Sequence, residues 1–220
     1  MANSGFTPQH QTIGQIAAWA VFALGLLYAV TTVLGLLSLE SAHDPIGDPF
    51  FTLMELLTVA IAPLMVVTLV AVHSYARPEV KLYSLMALIL MALMAGITSS
   101  VHFTIVSVSR QIAAAGLPSA TLLFSFRWPS VAYALDILAW DWFFALSMLC
   151  VAPVFKVGRL EKTVRSLMVL SGLLSLAGLV GVPLGNMQVR MVGLVGYGLV
   201  APVAFLLLGR VLGSLKGESY

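Results

Sequence analysis

Apolar residues run through the chain in six blocks, each close to or above the roughly 20 residues that a helix needs to cross a bilayer. Short polar breaks separate them. The pattern predicts transmembrane helices at about 13–39, 50–75, 82–109, 130–155, 166–184 and 187–213. The break at 40–49 (ESAHDPIGDP) and the Gly185-Asn186 pair have turn chemistry. The segment 110–129 is too long and too apolar for a plain turn. Its part 117–128 joins Leu122, Leu123, Phe124, Phe126 and Trp128 to Arg127, which suits an interfacial or re-entrant stretch.

Composition agrees with this pattern. Of 220 residues, 60% are hydrophobic and 9% charged, with a mean hydropathy of +1.02. Soluble domains carry about 25% charged residues. The expected fold class is all-α: one polytopic bundle, residues 1–220, with no separate soluble domain. No Lys or Arg precedes the first apolar run, which is longer than a secretory h-region, so it reads as a retained helix. The single cysteine, Cys150, permits no intramolecular disulfide.

Six crossings put both termini on one side. That side carries Arg77, Lys81, Lys156, Arg159, Lys162, Arg165, Arg210 and Lys216, and the other carries Arg110, Arg127 and Arg190. Eight against three places the termini in the cytoplasm of a cell inner or plasma membrane.

Charge inside the apolar blocks changes the picture. The fourth block holds Asp136 and Asp141, and a carboxylate costs about 2.5–3.5 kcal/mol at the bilayer centre on insertion scales. Counting from the helix ends puts Glu55, His102 and Asp136 in one layer, roughly 8–11 Å below the interface opposite the termini. Asn186 and Arg190 lie at the same end, with His43 and Asp44 in the loop above. Helical spacing aligns Thr52, Glu55 and Thr58 on one face, and Tyr133, Asp136 and Trp140 on another. Asp141 falls about 140° around the helix from Asp136. The two aspartates are therefore expected to part company, one facing the layer and the other a different neighbour such as Tyr197.

An apolar, partly dry cavity moves carboxyl and imidazole groups toward neutral titration, where general acid–base work is efficient. Aromatic faces stabilise cations. The expected catalytic set is Glu55, His102 and Asp136. Tyr133, Trp140, Asp141, Asn186, Arg190 and Tyr197 are the expected substrate-binding residues. The function read from them is an isomerase or cyclase acting on an isoprenoid or sterol-like lipid. The expected partners are membrane lipids and a hydrophobic small molecule.

Two other classes stand beside this one. A proton-coupled transporter would use the same acids, but the chain shows neither the internal repeat nor the midplane site common in transporters. A structural or assembly subunit would use them in ion pairs, Asp136 with Arg190 or Arg110. Metal ligation by Glu55, His102, Asp136 and His43 has no supporting motif spacing, and a haem between His73 and His102 fails on depth. No cofactor, metal or nucleic acid is expected, since the chain has no phosphate-binding glycine loop and no basic patch with interleaved aromatics.

Overall fold

The computed structural model describes residues 6–41, 44–109, 111, 112, 115 and 120–214, the side chains of 120 and 121 excepted. His43, Arg110 and Lys216, all named above, lie outside this set, as do 117–119 of the expected interfacial segment. The described elements are all helical. Six are long and apolar enough to cross a membrane: α1 (Pro8–Leu37), α2 (Phe50–Tyr75), α3 (Pro78–Ser109), α4 (Val131–Val154), α5 (Gly158–Gly181) and α6 (Met187–Ser214).

The six form a ring. Each packs on its neighbours in sequence, and α6 closes the ring against α1. The Gln11 side chain donates to the Gly213 carbonyl at 3.2 Å, so the start of α1 and the end of α6 meet at one end of the bundle. Met91, Met94, Phe144, Met148, Phe205 and Leu208 are fully buried within the ring. The outward faces stay apolar, with Leu26, Leu82, Ile89, Leu173 and Leu199 exposed, as a lipid-facing surface requires. Small residues bring the helices close: the Trp19 ring sits where a side chain on Gly209 would be.

The two boundaries that differ most from the hydropathy reading are both helix starts. α1 begins at Pro8, because Thr7 and His10 form a reciprocal capping box and proline suits the first helical position. α5 begins at Gly158 and takes in Arg159, Glu161, Lys162 and Arg165, which hydropathy alone assigns to a loop. Glu161 explains the early start. Its Oε2 accepts the Lys156 and Val157 backbone N–H groups, each at 2.8 Å, and its Oε1 accepts the Tyr75 hydroxyl at 2.6 Å. An acid in the first turn also suits the positive end of the helix dipole.

Among the described residues three helices carry π-helical turns: Ile105–Ser109 ends α3, Leu138–Phe144 lies inside α4, and Val195–Val200 lies inside α6. Such turns are rare and frequent at functional sites. Here one follows His102 closely, one contains Trp140 and Asp141, and one contains Tyr197.

Candidate functional site: a buried acid–histidine–arginine chain

The ring brings the ionisable layer together at the end opposite the chain termini. α2 supplies Glu55 from its second turn, α3 supplies His102, α4 supplies Asp136 and Asp141, and α6 supplies Arg190 from its first turn. All five are buried, from Asp141 with no exposure to Asp136 at 8%.

They form one continuous chain. His102 Nδ1 is 2.8 Å from Glu55 Oε2, and Nε2 is 3.3 Å from Asp136 Oδ1. The other oxygen of Asp136 receives Arg190 Nη2 at 3.5 Å. Arg190 Nε donates to Asp141 Oδ2 at 3.2 Å, and Nη1 donates to the Tyr133 hydroxyl at 2.8 Å. The guanidinium carbon also stands 4.7 Å from the Tyr133 ring centroid. Buried charges persist when they are paired and hydrogen-bonded, and this chain pairs each member with a neighbour.

Each imidazole nitrogen faces a carboxylate oxygen, so the ring can keep a proton on both hydrogen bonds in either of its charge states. An imidazolium donates from both nitrogens. A neutral ring donates from one and accepts from a protonated carboxyl at the other. With His102 and Arg190 both cationic, three carboxylates leave the chain one negative charge in excess. One further proton makes it neutral.

The expected parting of Asp136 and Asp141 occurs only in part: Asp136 alone reaches His102, and Asp141 lies near Tyr197, yet the two meet at Arg190. Both carboxylates reach Arg190. The π-helical turn Leu138–Phe144 is the cause, because i→i+5 hydrogen bonding brings residues five apart onto one face. Among the described residues the second oxygen of Asp141 has no hydrogen-bond partner, and it lies against Gly193, where a side chain would collide with it. Only glycine at 193 lets α6 approach Asp141 this closely.

The segment after the one-turn helix Ala120–Leu123 covers the layer. Phe124 and Phe126 pack against the buried cluster of Val101, Ile105 and Ala132. The Phe126 ring lies 5.1 Å from the His102 ring and meets Tyr133 edge-on at 6.2 Å. Trp128 also meets Tyr133 edge-on, at 6.4 Å. Ser130 fixes this cover to α4. Its hydroxyl accepts the Tyr133 N–H as the helix cap and donates to the Ser125 carbonyl.

The remaining sequence-predicted residues divide. The Trp140 and Tyr197 rings lie tilted to each other at 5.2 Å beside Phe144, and the Tyr197 hydroxyl lies within electrostatic reach of Arg190 and Asp141. Asn186 stands apart from the chain. Its side-chain oxygen accepts the Gln188 and Val189 N–H groups and caps α6. Tyr28 on α1 escapes sequence reasoning, although its hydroxyl lies within electrostatic reach of Glu55, Asp136 and Arg190. The signal that could have found it is the polar group Tyr28, Thr31 and Thr32 within the apolar stretch 16–37 of that helix.

Among the described residues no three His, Cys, Asp or Glu side chains converge as metal ligands do. The two carboxylates bound to His102 use different ring nitrogens and so do not point at a common centre. Two shallow apolar grooves, of about 130 and 250 Å³, are lined by His10, Ile13, Val67, Val70 and Ala71 and by Ala29, Val30, Val33 and Leu34, and no member of the buried acid–histidine–arginine chain lines either. Comparison with protein-family models, with curated proteins and with solved structures returned no match.

Proposed function

We propose that the protein is an integral membrane enzyme that uses Glu55, His102 and Asp136 for acid–base chemistry on a hydrophobic, isoprenoid-like or sterol-like lipid. The observation that supports this most is the two-sided engagement of His102 by Glu55 and Asp136. That arrangement lets a proton arriving at one carboxylate be matched by a proton leaving the other.

Asp136 is the member suited to meet substrate. Its side chain is 12% exposed, against 5% for Glu55 and none for Asp141. It lies beside Tyr133 and the Phe126–Trp128 cover, on a helix whose Val131, Leu135 and Leu138 face outward. In an isomerisation, protonated Asp136 gives its proton to one carbon of a double bond. A neighbouring carbon of the resulting cation loses a proton to the same carboxylate, or to Glu55 through His102. The double bond has then moved and the proton count is unchanged. Tyr133 and Phe126 offer ring faces to the cation. Arg190 holds Asp136 and Asp141 in place, so in this mechanism it orients the acid rather than binding a polar head. The Lys and Arg distribution supports cytoplasmic termini and a layer near the opposite face of a cell inner or plasma membrane.

A second reading, a structural role, has its own support: Arg190 engages two aspartates and a tyrosine and so braces α4 against α6. The purified protein, incubated with a panel of unsaturated isoprenoid and sterol lipids, separates the two. An isomer of unchanged mass, formed by wild type and absent with Asp136→Asn, supports the enzyme. An Asp136→Asn protein that converts the same lipid equally well rules out the assigned acid.

A further inference from the structure

The other end of the bundle carries a surface that the acid–base reading does not use. Lys156, Arg159, Lys162 and Arg165 fall within ten residues at the start of α5, and all are exposed. The only acid in that run is Glu161. Its two oxygens are held by Tyr75 and by the backbone of Lys156 and Val157, so it is turned away from the basic side chains. Among the described residues none of these four cations forms an ion pair. Arg77, beside the end of α2, is exposed at the same end.

The stripe does not stop at the charges. Helical spacing places Arg159 and Lys162 in line with Leu170, Leu173 and Val180, with Arg165 at the edge. Those three apolar residues are 46%, 54% and 52% exposed. Lys162 and Leu173 are about 16 Å apart along the axis. One face of α5 thus offers cations first and bare hydrocarbon below, on the scale of a lipid headgroup and the upper part of its acyl chain.

We infer that this face of α5 binds an anionic phospholipid, its phosphate held by Arg159, Lys162 and Arg165 and its acyl chain lying on Leu170 and Leu173. The inference rests on the membrane location of the bundle and not on the chemistry at Asp136. The apolar continuation selects a lipid over free phosphate, and the outward-facing cations select an anionic headgroup over a zwitterionic one.

The test uses the full chain in nanodiscs of equal phosphatidylcholine and phosphatidylglycerol, with retained lipid counted by native mass spectrometry. Wild type should retain phosphatidylglycerol preferentially, and rising salt should weaken that preference. The Arg159→Gln/Lys162→Gln/Arg165→Gln protein should lose about fivefold per charge removed. The Arg159→Lys/Arg165→Lys protein should keep the preference. A wild type with no preference, a triple variant that keeps it, or full displacement by inorganic phosphate would each overturn the inference, the last by assigning the site to a free anion.

Discussion

Arg190 donates from Nε to Asp141 at 3.2 Å, across the seam between α4 and α6, with both side chains buried. The pair fixes the angle at which α6 meets α4, and the remaining donors of Arg190 set the position of Asp136. Removing one partner of a buried pair costs about 3–5 kcal/mol, because the other charge is left without compensation. Arg190→Met should therefore unfold at markedly lower temperature than wild type in the same detergent. Asp141→Asn keeps a hydrogen-bond acceptor for Arg190 and should lose less. Equal melting temperatures for Arg190→Met and wild type would show that the pair braces nothing.

Gly193 and Gly96 make a matched pair of probes. A methyl group at 193 collides with the Asp141 carboxylate and approaches the Ser175 carbonyl to 3.4 Å, whereas one at 96 meets nothing within 4 Å. Overpacking of this kind costs about 1–3 kcal/mol. Gly193→Ala should lower the melting temperature and disturb function together, since the clash bears on the carboxylate that holds Arg190. Gly96→Ala should leave both unchanged or raise stability slightly through helix propensity.

Tyr75 and Glu161 tie α2 to the start of α5 through a 2.6 Å bond to a carboxylate. Hydrogen bonds to charged groups contribute about 1.5–3 kcal/mol. A double-mutant cycle of Tyr75→Phe and Glu161→Gln, read by thermal unfolding, should give a coupling toward the lower part of that range, because Glu161 is half-buried. A coupling near zero would mean that the backbone caps of Glu161 act alone.

Ser130 links the cover of the site to α4. Losing a helix N-cap costs about 1 kcal/mol. Ser130→Ala should also release the tie to Ser125. Limited proteolysis should then cut between 124 and 129 sooner than in wild type, with the transmembrane helices still intact.

Much of this layer is legible in the sequence, because hydropathy fixes the ends of the helices and depth follows from residue counting. Glu55, His102 and Asp136 meet on that basis alone. Angular counting separates Asp141 from the layer but misses its sharing of Arg190 with Asp136, because it assumes 3.6 residues per turn and the π-helical turn Leu138–Phe144 departs from that period. Hydropathy misplaces the start of α5 because it penalises Arg159, Lys162 and Arg165, while Glu161 caps the helix through a carboxylate that no window average registers. Arg190 is visible as a charge near a helix end, but its three partners depend on the approach of α6 to α4 at Gly193. Tyr28 joins the layer because the ring closes α1 onto its neighbours, and the polar group Tyr28, Thr31 and Thr32 is its one local trace.

The most direct measurement of the proposed chemistry works even with the substrate unidentified. Proton transfer to and from carbon leaves solvent hydrogen in the lipid. The purified protein is incubated in deuterium oxide with a total membrane lipid extract, and the lipids are analysed by mass spectrometry. One lipid class should gain deuterium with wild type. None should gain above background with Asp136→Asn, and the gain should be reduced with Glu55→Gln or His102→Asn at unchanged folding. If no lipid gains more deuterium with wild type than with Asp136→Asn, the Glu55–His102–Asp136 chain is a brace and not a catalyst.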